Sequence, residues 1–195
     1  MEKTRLEAFS DGVLAIIITI MVLEMKVPHG SQFRDLHPIL PVFLTYVLSF
    51  VYLGIYWNNH HHLLKAAPCI NGAIMWANLH LLFWLSLFPF VTGWMGENHF
   101  MPQPSALYGA VLLLAAVAYV ILQTLIVREA GGNSQLAAAL GGDWKGKLSP
   151  ILYAVGIGVS FFQPWIAVSI YAAVALTWLI PDRRLERLVH KKENR

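Results

Sequence analysis

Apolar residues fall in long runs along this chain, and polar residues gather in the gaps between them. A helix needs about 20 mostly apolar residues to cross a hydrocarbon core of about 30 Å. Six windows of that kind stand out: residues 6–27, 38–58, 72–95, 104–127, 148–163 and 165–180. The last two are short and parted only by Pro164, which predicts a tight helical hairpin whose turn starts at that proline. The expected fold class is an all-α membrane protein with six transmembrane helices in one unit, residues 1–182, followed by a basic tail, 183–195. No cleavable signal peptide is expected, because the first apolar run is long, contains an acid and lacks a small-residue cleavage site. No second domain, low-complexity linker or internal repeat is expected either.

Composition points the same way. Charged residues make up 13% of the chain and hydrophobic ones 57%. Soluble domains carry roughly 25% charged residues, so the expected solvent is a lipid bilayer. The single cysteine, Cys69, excludes an intrachain disulfide and a cysteine-cluster metal site. A net charge of +3 is too small to suggest nucleic-acid binding.

The placement of the charge matters more than its size. With the N-terminus inside, inner segments hold twelve Lys and Arg residues, while the outer loops hold only Lys26 and Arg34. That bias fits the positive-inside rule and an even number of spans, with both termini cytoplasmic. Trp94 and Trp144 fit interfacial belts. The tail RRLERLVHKKENR suits an anionic inner leaflet; simple solvation accounts for it equally well.

One residue resists this pattern. Asp11 sits in the first third of AFSDGVLAIIITIMVL, positions 8 to 23. An ionisable group inside a span costs at least about 2.5 kcal/mol and is normally paired or facing water. Asp11 lies roughly 8 Å into the first helix at 1.5 Å per residue. The second helix ends in YWNNHHHLLK, which brings Asn58, Asn59, His60, His61 and His62 to the inner level, and the third starts there with Asn78 and His80. Arg5 is at the inner mouth. The strongly polar residues of three helices thus share one layer.

Two readings of that layer compete. Asp11, Ser10, Arg5 and a histidine form a network that locks helices together, or they relay protons or bind an ion. The structural reading is preferred, since pairing is the usual way a span hides a charge. Three consecutive histidines on a helix point about 100° apart and cannot all face one metal. No metal site is expected.

The other side of the first helix does something else. Ile16, Ile20 and Leu23 are spaced i, i+4, i+7 and form one stripe. Asp11 points about 140° away from it at 100° per residue. Thr19 and Glu24 flank the stripe, with Glu24 at the outer end. Spacing alone says only core or lipid, more often packing, and does not make it a pore.

Arg5, then LEA, then Phe9, Ser10 and Asp11, then Gly12 and VLAI closely resemble the signature of the transmembrane protein 175 family. These are the potassium channels of endosomes and lysosomes and their prokaryotic relatives. YWNNHHHLL, with Trp57, resembles the family's Trp-and-His segment. With the six-span layout, the resemblance covers effectively the whole chain. It implies a homotetramer in which the first helix of each subunit lines a central pore. It implies that Ile16 forms the main hydrophobic constriction, that Ile20 and Leu23 face the pore further out, and that Thr19 lies near the constriction. It implies that Phe9, Ser10 and Asp11 anchor the pore helix, with Arg5 and either His60 or His61 in the network. Asn78 belongs to that layer by depth.

A ring of isoleucines narrower than a hydrated ion gates by dewetting. It has few groups to replace a hydration shell, so only a modest preference for K+ over Na+ and other monovalent cations is expected. No cofactor is expected beyond the permeant K+. Glu24 either draws cations to the outer mouth or is merely solvated at a helix end. VTGWMG, positions 91 to 96, is only superficially like a potassium-filter sequence; the order is wrong and no re-entrant helix precedes it.

The competing class is a proton-coupled transporter or a proton leak using Asp11, His60, His61 and His62; a transporter would show broken helices and repeats. No hydrolase or zinc-protease motif appears, so no enzyme is expected. With the resemblance, a single repeat implies a prokaryote, and the plasma membrane is the expected location.

Overall fold

The computed structural model describes residues 2–131 and 144–179. The expected tail, 183–195, lies outside the described residues. Every regular element described is helical. The order is α1 (Lys3–Leu23), a 3-10 helix (Phe33–Ile39), α2 (Leu40–Ala66), α3 (Gly72–Ser86), α4 (Phe88–Glu97), α5 (Pro102–Glu129), then α6 (Trp144–Ser160) and α7 (Pro164–Leu179).

Four segments are long and apolar enough to cross a membrane: α1, the 3-10 helix continued into α2, α3 with α4, and α5. Of the last two helices, 17 and 16 residues are described.

Several boundaries differ from the sequence-based expectation for identifiable reasons. α1 ends at Leu23 rather than near residue 27, ahead of Pro28. α2 runs to Ala66, so the Asn and His cluster lies inside the helix rather than at its end. The third span is two helices that part at Leu87. Pro89 supplies no N–H and its ring crowds the carbonyl four residues earlier, which interrupts the ladder there. The final hairpin turns at residues 161–163, before Pro164, and the proline opens α7. At the first helical position its missing N–H would have had no partner anyway.

α5 is the spine of the bundle and packs on α3, α4 and α6; α7 packs on α6 and α2. Tyr171 of α7 is closely enclosed, since a Cβ added to Gly109 or Gly156 would overlap its side chain. α1 lies at one side, against α2, α3 and α4 only among its substantial contacts. A helix so placed buries one face and leaves the other open.

Candidate pore helix and its anchoring network

The two faces of α1 separate cleanly. Leu6, Ser10, Leu14, Ile17 and Met21 are all buried, at the spacing of one helix face. Ile16, Ile20 and Leu23 are 60%, 40% and 76% exposed. Thr19 is exposed beside them, its hydroxyl donating to the Ala15 carbonyl at 2.8 Å. Glu24 is the exposed C-cap of the helix. The chain's own packing therefore leaves this stripe uncovered.

The buried face is tied down by a directed chain of hydrogen bonds. Ser10 donates to the Leu6 carbonyl at 2.9 Å, so its oxygen must accept, and it accepts from the Asn78 amide at 3.0 Å. That turns the Asn78 carbonyl oxygen toward His60 Nε2, 2.6 Å away. His60 therefore carries its proton on Nε2. Ser10 and Asn78 are fully buried and His60 nearly so. α1, α3 and α2 are joined through one amide.

Asp11 belongs to a second cluster. Its Oδ1 accepts from the Trp57 indole N–H at 3.0 Å, and the two side chains are exposed. His61 stacks on Trp57, with ring centroids 6.5 Å apart and planes 27° apart. Trp57 and His61 are four residues apart and share a face, while His60 points about 100° away into the core. The single layer read from the sequence thus splits in two. Arg5 and Phe9 are exposed and join neither part. The ion pairs among the described residues, Lys26–Glu97 and Arg34–Asp35, do not involve Asp11. Its partner is a neutral donor, not a cation.

Three features were not singled out from the sequence. Glu7, one turn before Asp11, has a buried Oε1 without a hydrogen-bond partner; its i, i+4 spacing from Asp11 was the available signal. Lys3 donates to the Lys65 carbonyl at 2.6 Å and the Ala67 carbonyl at 3.3 Å. It thereby satisfies carbonyls at the C-terminus of α2, where a cation is favoured. The third is a hydroxyl cluster nearer the Glu24 end. Ser49 lies 2.6 Å from the Thr92 hydroxyl and 3.0 Å from that of Tyr108, and Thr92 contacts Met21 Sδ at 3.8 Å.

Beyond α1, Lys26 forms its ion pair with Glu97 at 2.8 Å. The hydrogen bond and charge of Glu97 raise the Lys26 ammonium above its ordinary pKa. The segment VTGWMG lies inside α4, its carbonyls committed to helix rather than aimed at an ion.

Among the described residues, an all-helical arrangement with apolar spans, and a first helix whose open apolar face is backed by a polar anchor, has the design of a multi-pass membrane protein that exposes a helix to an axis or to lipid. Three comparisons place it further. The family model described as endosomal/lysosomal potassium channel TMEM175 matches residues 5–89. A potassium channel of Chryseobacterium sp. (strain P1-3) is 58% identical over 194 residues, spanning all of both chains. The endosomal/lysosomal proton channel TMEM175 of Gallus gallus is 40% identical over 75 residues, covering 32% of this chain and 15% of that one. Among solved structures, a lysosomal potassium-selective channel TMEM175 homolog from Chamaesiphon minutus aligns with a TM-score of 0.75 at 27% identity, over 93% of this chain and 98% of that one. The chain belongs to the TMEM175 family, a family of ion channels and not of enzymes.

Proposed function

We propose that this chain is a potassium-permeable channel of a prokaryotic plasma membrane. Four copies assemble with α1 of each around a central pore, and all six rods, counting α3 with α4 as one, cross the bilayer with both termini inside. The carrying observation is the two-faced α1: a buried stripe anchored by Ser10, and an opposite stripe of Ile16, Ile20 and Leu23 left open. Family membership and the names of the bacterial relatives support the ion. In this arrangement Ile16 narrows the pore and closes it by dewetting. A ring without carbonyl ligands prefers K+ over Na+ only modestly. The exposed Asp11 carboxylate also supports assembly, since a charge inside a membrane span must meet water or a neighbouring donor.

The test is single-channel recording of purified protein in planar bilayers, with K+ and Na+ on opposite sides, comparing wild type with Ile16→Asn. Discrete currents that grow or lose selectivity in the variant are expected. If Ile16→Asn conducts like wild type, the stripe faces lipid and the assignment of the constriction fails.

A second reading has its own support. The Gallus gallus relative is named a proton channel, and Asp11 and His61 both contact Trp57, at its N–H and on its ring. Currents whose reversal potential follows a pH gradient, and that vanish in Asp11→Asn with assembly intact, would favour proton permeation.

A further inference from the structure

We infer that Glu97 is a conductance-setting residue, although it lies on α4 and not on the pore helix: it holds the Lys26 ammonium away from the mouth of the pore. This rests on the proposed tetramer with α1 at the axis.

Two charged residues follow α1 closely. Glu24 continues the helical path one turn beyond Ile20, about 40° further round. It is exposed just past the last turn of α1, on the edge nearer the buried face, and four such carboxylates would attract cations to the outer mouth. Lys26 comes two residues later. A free lysine there, on a flexible stem, would place four positive charges over the same opening and cancel that field.

The structure gives Lys26 another position. Its Nζ meets Glu97 Oε1 at 2.8 Å. α4 packs on the buried side of α1, where Thr92 touches Met21. Met21 points about 140° from Ile16 and about 160° from Leu23, so Glu97 draws the ammonium behind α1, off the axis. The backbone beside Glu97 packs closely on α2. Gly96 lies so near that an added Cβ would be 2.6 Å from the Val42 Cα. Lys26 also lies near the C-terminal end of α4, which favours a cation. Glu24, Lys26, Glu97 and His99 line one open cavity of about 410 Å³, so a released Lys26 has room to swing.

The pair is exposed, with side chains 84% and 50% accessible, and adds little to stability. Its consequence is electrostatic placement. Screening then provides a readout that a structural role would not move. Charges act over about 30 Å at 10 mM salt and over about 3 Å at 1 M.

The experiment is unitary K+ conductance of the assembled channel for wild type, Glu97→Gln, Lys26→Gln and the double variant, each at about 10 mM and about 1 M KCl. Glu97→Gln should conduct about two- to fourfold less than wild type at low salt and equally at high salt. Lys26→Gln should match or exceed wild type. The double variant should recover the wild-type value or better, because no ammonium remains to be misplaced. If wild type conducts and Glu97→Gln is unchanged at low salt, Glu97 has no such role. If the loss persists at 1 M or in the double variant, Glu97 acts through the fold and the inference fails. Wild-type protein that gives no unitary current instead overturns the channel reading itself.

Discussion

α1 is held at two levels, and the two are built differently. Near its Lys3 end, Ser10 contributes a side chain to a buried hydrogen-bonded chain that runs through Asn78 to His60. Nearer its Glu24 end, the cluster of Ser49, Thr92 and Tyr108 ties α2, α4 and α5 to one another, yet it reaches α1 only through the weak acceptor Met21 Sδ at 3.8 Å. The first level fixes α1 to the body of the chain; the second fixes the body to itself. A helix anchored strongly at one end and lightly at the other pivots more readily at the light end, and that is the end bearing Ile20, Leu23 and the Lys26–Glu97 pair.

The sharpest way to break this asymmetry is Asn78→Ala. The amide serves two buried partners, so its loss leaves the Ser10 oxygen without its donor and the His60 N–H without its acceptor. An unsatisfied buried polar group costs about 1–3 kcal/mol, and the variant should lose about 2–4 kcal/mol. Thermal unfolding in detergent, read alongside the fraction of assembled protein, measures it. A loss under about 1 kcal/mol would mean that water or rearrangement replaces the amide, and that α1 is not anchored there.

Ser49→Ala should cost less, about 1–2 kcal/mol, because Thr92 and Tyr108 keep hydroxyls able to turn toward other acceptors. Its effect should fall on the body of the chain. Cysteine-labelling rates along the Ile16 face of α1 should stay as in wild type, whereas Asn78→Ala should change them. Equal changes in both variants would erase the distinction between the two levels.

How much of this was legible beforehand depended on residue type. Asp11, Asn78 and the histidines stand out against an apolar background, so the layer near the Lys3 end could be seen in the sequence. Its division could not. Whether His60 or His61 faces inward depends on the rotation of α2 against α3, a tertiary quantity, and only the hydrogen bond to Asn78 reveals it. The Ser49–Thr92–Tyr108 cluster was invisible because hydroxyl residues are unremarkable in membrane helices, where they bond back to their own carbonyls as Thr19 does. The break at Leu87 was signalled by Pro89 but outweighed by the continuous apolar run. The exposed stripe on α1 was visible as periodicity, although periodicity alone does not separate packing from exposure.

The smallest expected effect concerns Asp11. Trp57→Phe removes the indole N–H while keeping an aromatic ring to stack on His61. In the isolated chain both partners are exposed, water can replace the donor, and the cost should be under about 1 kcal/mol. In the proposed tetramer the outcome depends on what covers that surface. If a neighbouring subunit buries Asp11, the lost N–H leaves a desolvated carboxylate short of a donor, and the penalty rises with the loss of water. Comparing Trp57→Phe with wild type, as dissociated chains and as assembled protein, separates the cases. A larger penalty on assembly than on folding would show that the Asp11–Trp57 pair is an element of the subunit interface, distinct in task from the Ser10–Asn78–His60 chain beside it. Equal small penalties would leave it facing water, with no part in the subunit interface.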